Sequence, residues 1–187
     1  MTLRLLMLTL AATLVLAGCA STDTDRRGSG DVDSLSMGAA NDDSDLESRI
    51  RSSLASADDR FESAPIKVVS HNARVLVTGR VPEEAMIETA TDVVRGFRRV
   101  RFLHNELMAA DPLPMDVRSS DQWLSVRVKG RLVTAREFPS RRVVITTENG
   151  VVYLMGLVTQ AQGEQAEQLA AGIDGVQRVV SIFDYTD

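Results

Sequence analysis

Arg142-Val-Val-Ile-Thr-Thr-Glu-Asn-Gly-Val-Val-Tyr-Leu-Met-Gly-Leu-Val158 is the stretch whose reading decides the fold. Two runs rich in β-branched residues flank Asn149-Gly150, a dipeptide that accepts the positive φ a tight type I′ turn requires, so the segment predicts a β-hairpin. The chain writes the same pattern earlier, from Ile66 to Val81. Setting Gly79 beside Gly156 places Val81 on Val158, Val77 on Leu154, Val75 on Val152 and Asn72 on Asn149. One unit is present twice.

The flanking segments repeat in the same order. Leu46, Ile50 and Leu54 recur at helical spacing from Asp43 onward, with Ser44 or Asp45 as caps, and Leu124, Val128 and Leu132 form the same stripe 78 positions later, on a helix Ser120 to Ala135. After the first hairpin, Pro82-Glu83-Glu84 opens a helix because proline fits a first turn and carboxylates suit its positive end; Ala85, Ile87, Ala90, Val93 and Val94 supply its apolar side and Gly96 its stop. A strand Val100 to Met108 closes the unit. The second unit repeats this with a helix Ala161 to Ile173 and a strand Val176 to Tyr185. The expected class is α+β: two tandem αββαβ domains, each a small three-stranded mixed sheet covered by two helices. Units of about 65 residues are only marginally stable alone and should pack on each other.

The start of the chain reads as an address. Arg4 and the apolar run Leu5 to Leu16 precede Leu16-Ala17-Gly18-Cys19, a signal pattern ending on the chain's only cysteine. Residues 1–18 read as a lipoprotein signal peptide, 19–42 as a lipidated Cys19 with a flexible tether rich in Ser, Thr, Asp and Gly, 43–109 and 119–187 as the two domains, and 110–118 as a linker containing Asp111-Pro112-Leu113-Pro114. A net charge of −5 argues against a nucleic-acid partner, and a monomer is expected.

Two αββαβ units behind a lipobox and polar tether resemble the dual BON-domain outer-membrane lipoproteins. The likeness is closest in Val144-Ile-Thr-Thr-Glu-Asn-Gly150, Tyr153-Leu-Met-Gly-Leu-Val-Thr159 and Gly175-Val-Gln-Arg-Val179. The first unit departs at Ala73, which replaces the turn glycine and suggests another loop geometry. The resemblance implies an outer-membrane anchor, since Ala20 is not the aspartate that retains such lipoproteins in the inner membrane. It also implies binding of anionic phospholipid, chiefly phosphatidylglycerol, through the first helix of the second domain, with roles in membrane integrity and division-site recruitment.

That helix can be compared with its own duplicate. Trp123, Val126 and Val133 stand where the first unit has Asp45, Ser48 and Ala55, so the second copy is more apolar away from its buried stripe. Between Gln122 and Arg142 six basic residues, among them Arg127, Lys129 and Arg131, face Glu137 alone, a local balance of +5; the helix 42–57 carries −2. An apolar outer face ringed by cations suits an interfacial helix. The candidate lipid-binding residues are therefore Trp123, Val126, Arg127, Lys129, Gly130, Val133 and Thr134, with Cys19 as the lipidation site. Trp123 could instead cover the seam between the units, and Phe138-Pro139 could be an insertion edge or a plain turn. A competing function is a protein adaptor that contacts outer-membrane assembly machinery. His71 and His104 lack the spacing of a metal site, no phosphate loop or serine elbow is present, and neither an enzyme nor a cofactor is expected.

Overall fold

The computed structural model describes residues 30–187, with side chains from residue 40 onward; the signal segment, Cys19 and the tether as far as residue 29 lie outside the described residues. The first unit contains α1 (Gly30–Ala57), a single turn α2 (Arg60–Ser63), β1 (Ile66–His71), β2 (Arg74–Val81), α3 (Glu84–Arg95) and β3 (Phe102–Ala109). The second contains α4 (Met115–Thr134), β4 (Val143–Glu148), β5 (Val151–Val158), α5 (Gln160–Ala171) and β6 (Arg178–Tyr185). In each sheet the hairpin is antiparallel and the last strand pairs parallel to the second, giving orders β1-β2-β3 and β4-β5-β6. The helix between those parallel strands makes the crossover that such pairing requires.

Strand alternation assigns the faces. Val68, Val75, Val77 and Val81 point at Leu46, Ile50 and Leu54 of α1 and at Met86, Ala90 and Val94 of α3. Val143, Val152, Leu154 and Val158 likewise meet Val128 and Leu132 of α4 and Ala166 and Ala170 of α5. The opposite faces meet each other: Leu76 packs with Tyr153, Met155 and Ile182, backed by Val69, Val144, Val151 and Val180. The sheets lie back to back with their helices outside, so each sheet is covered on both faces.

Polar contacts rim this seam. Arg74 donates to the Asp184 carboxylate at 2.8 Å through Nε and also reaches it through Nη2, and Asn72 Nδ2 donates to it at 3.2 Å. Lys67 Nζ donates to the Thr147 carbonyl at 2.7 Å and to Glu148 at 2.9 Å. The Arg74 hydrogen bond, working against desolvation, holds the Asp184 carboxyl below the usual carboxylate range. A depressed folded pKa contributes stability that is present above the unfolded value near 3.9 and is lost as pH falls through the folded one. Asp184→Asn is thus expected to melt lower than the parent chain at pH 7 and to close that gap below about pH 4; a gap indifferent to pH would refute the assignment.

Several boundaries and roles differ from the sequence reading. Helix α1 runs back to Gly30 rather than starting at Asp43, although Asp43 is its first buried residue among the described side chains. Helix α4 begins at Met115, so residues 115–118 of the expected linker are helical; Pro114 sits just before the first turn, where its missing N–H costs nothing. At the start of α3 Met86 is buried in place of Ala85, which is exposed. The Asn72-Ala73 turn takes positive φ at both residues (51° and 60°), as Asn149-Gly150 does (48° and 74°), so loss of the glycine did not change the loop geometry.

The reason is a carboxylate on each first helix. Asp43 accepts from Asn72 N at 2.7 Å, Ala73 N at 3.0 Å and Ser70 Oγ at 2.6 Å. Asp121, 78 positions later, accepts from Asn149 N at 2.7 Å and Gly150 N at 2.8 Å. Each buried carboxylate holds its hairpin turn against the helix, and in the first unit this offsets the cost of left-handed backbone at alanine.

Candidate lipid-facing helix

Helix α4 buries Asp121, Leu124, Val128 and Leu132 on the β4-β5-β6 sheet. At 3.6 residues per turn the opposite side carries Met115, Trp123, Val126, Gly130 and Val133. Their exposure is high: 69% for Met115, 68% for Trp123, 61% for Val126 and 59% for Val133. Trp123 is therefore not sealed in the seam, which is built from the far faces of the two sheets. Met115, Val126 and Val133 follow at spacings of 11 and 7 residues, close to whole turns, and make one stripe about 27 Å long. Met115 falls in the segment 110–118 that the sequence reads as linker, so it is not among the sequence candidates. The available signal was Pro114 followed by Asp116, the same proline-then-acid start that marks α3.

The cations divide into two kinds. Arg127 is exposed, and its Nη1 donates to the Asp174 carbonyl at 3.0 Å. Arg131, Arg141 and Arg142 are exposed and form no ion pair among the described residues, whereas Arg136 lies near Glu137. Lys129 is placed differently. Its ammonium donates to the carbonyls of Ser140 at 2.6 Å and Val143 at 2.9 Å, and burial lowers its pKa. It ties α4 to the turn before β4 instead of standing free on the outer face. Thr134 is exposed, and its hydroxyl donates back to the Gly130 and Arg131 carbonyls.

Gly130 is the odd member of the face. Its φ is not positive, and a Cβ added there would meet nothing within 4 Å. A helix-interior glycine costs about 0.5–1 kcal/mol relative to alanine, and no intramolecular packing here asks for it.

Beside Trp123 and Val126 runs an open groove of about 640 Å³ between α4 and the edge strand β4, with Ile145 and Thr146 on its far wall and Lys67 of the first unit at its mouth. Phe138 is only 8% exposed and belongs to the second-unit core, so Phe138-Pro139 forms a core-anchored turn rather than an insertion edge. His71 is half-buried and His104 partly so, and burial lowers the pKa of both.

Comparison with known proteins agrees with this architecture. The BON domain model matches residues 42–110 and 120–186, which are the two αββαβ units. The outer membrane lipoprotein DolP of Haemophilus influenzae is 31% identical over 99% of this chain and 97% of its own length. A 21 kDa hemolysin of Actinobacillus pleuropneumoniae is 31% identical over 82% of this chain and 79% of its own. The osmotically inducible protein Y of Escherichia coli is 31% identical over 74% and 70%. Matched in both units and along almost its whole length, the chain belongs to the BON-domain family as a DolP-like lipoprotein.

Proposed function

We propose that this chain, a two-BON-domain lipoprotein of the outer membrane, presses the outer face of α4 onto anionic phospholipid on the periplasmic side. Roles in membrane integrity and division-site localisation are carried over from the family. The observation that supports the lipid reading is the exposure of Trp123, Val126 and Val133 on a helix whose duplicate bears Asp45, Ser48 and Ala55 at those positions. Arg127 and Arg131 stand beside that face, and no carboxylate in the described residues forms an ion pair with either. Full burial of a tryptophan is worth at most about 4–6 kcal/mol, and half insertion about 2–3. Each nearby cation adds about 1 kcal/mol on a strongly anionic surface. With an acyl group already holding the body near the bilayer, terms of this size select among membrane patches rather than create attachment.

Trp123 is the chain's single tryptophan, so the site reports on itself. With the full chain reconstituted on phosphatidylcholine vesicles, its emission should stay at the water-exposed position. With phosphatidylglycerol included, it should shift to the blue and be quenched by brominated acyl chains. Emission that ignores phosphatidylglycerol would reject the reading. Trp123→Ala is expected to leave the melting temperature within about 2 °C, because an exposed side chain contributes little to the fold.

A further inference from the structure

A second groove, of about 690 Å³, separates α4 from α5; Arg127, Gly130 and Arg131 form one wall, Leu169 and Ile173 the other, and Asp174 closes one end. Arg127 and Arg131 are one helical turn apart and therefore share this side of α4. Arg127 is pinned by its bond to the Asp174 carbonyl, while Arg131 is exposed and pairs with no carboxylate among the described residues. The glycine lies between them, where an added methyl would project into open space.

A helix that merely inserts a smooth apolar face would gain from alanine at this position twice, in helix propensity and in greasy area. Glycine makes sense if something must approach the backbone there. From this juxtaposition we infer that the α4–α5 groove seats the headgroup phosphodiester of one anionic phospholipid, clamped by Arg127 and Arg131 over Gly130, with Leu169 and Ile173 against the upper acyl carbons. Planar guanidinium groups match phosphate oxygens in a forked geometry that lysine cannot reproduce. The Asp174 carboxylate repels an anion at its own end, so the phosphodiester lies toward Arg131. The proposal rests on the lipid reading above and narrows it from a surface to a discrete seat.

The test uses the full chain in phosphatidylcholine vesicles of increasing phosphatidylglycerol content, with Trp123 emission as readout and thermal melting measured alongside. Gly130→Ala should raise the melting temperature by about 2 °C and yet need about tenfold more phosphatidylglycerol for half the emission shift, the size expected if the added methyl holds the phosphate out of reach of one arginine hydrogen bond. Arg131→Lys, which keeps the charge and removes the fork, should need severalfold more, with melting unchanged. If wild type shifts and Gly130→Ala shifts equally or at lower phosphatidylglycerol, α4 inserts as a smooth face and the seat is wrong while the lipid reading stands. If wild type itself does not respond, both fall.

Discussion

Replacing Asp43 or Asp121 by alanine is expected to destabilise the protein by about 3 kcal/mol or more, lowering the melting temperature by roughly 6–12 °C, because each removes at least two hydrogen bonds from a buried carboxylate to turn N–H groups. Gly150 is buried, and leaving a buried donor unsatisfied costs more than the bond contributed. Asp43→Ala should be the worse of the two, since Ser70 Oγ also loses its acceptor and Ala73 keeps its left-handed backbone without support. Asparagine, which retains one acceptor oxygen, should recover part of the loss at either position. Thermal melts followed by circular dichroism decide the matter, and alanine variants that melt with the parent would show that the turns hold themselves.

Gly79→Ala should rival these effects. Gly79 has φ +123°, and a Cβ there would run into the Pro65 carbonyl oxygen across the β1–β2 pair. Strained backbone costs about 1–3 kcal/mol and the steric overlap a similar amount, for a sum of about 2–6 kcal/mol. The equivalent Gly156 provides a built-in comparison, because its Cβ would meet the Arg142 carbonyl but its φ is not positive. Gly156→Ala should therefore be the milder variant, by about the strain contribution. Equal losses in urea titrations would mean that the carbonyl contact alone explains both glycines.

Much of this architecture was legible in the chain because two periodicities and a turn were written twice. Leu46, Ile50, Leu54 and their counterparts Leu124, Val128, Leu132 are all buried, and the glycine alignment of the two hairpins holds in the strand registers, where Gly79 faces Ile66 and Gly156 faces Val143. What escaped was tertiary. The carboxylates of Asp43 and Asp121 have no role that the sequence alone assigns, since nothing local says that a turn 28 or 30 residues away will arrive at them. Lys129 counted as one cation of a ring because its partners, the main-chain carbonyls of Ser140 and Val143 at the entry to β4, come within reach only once α4 is packed. Ala85 and Met86 exchanged roles because one residue of helical phase is a 100° turn, beyond what a pattern of small apolar residues can fix. At the candidate site helical phase set Trp123 off the buried stripe, but only the packing of the two sheets shows that it faces solvent and not the seam; Met115 needed the correct helix start and Arg131 the position of α5.

The back-to-back sheets also bear on how the body can stand on a bilayer. Helices α1 and α4 cap opposite ends of a four-layer stack, separated by roughly 30 Å if neighbouring layers sit about 10 Å apart. An acyl group on Cys19 would join the body through α1, the end remote from Trp123. From Cys19 to Asp43 the contour reaches at most about 55 Å, because the part from Gly30 onward is helical. That leash exceeds the roughly 30 Å between the outer helices, so the body has room to somersault and set α4 down on the same leaflet that holds its anchor.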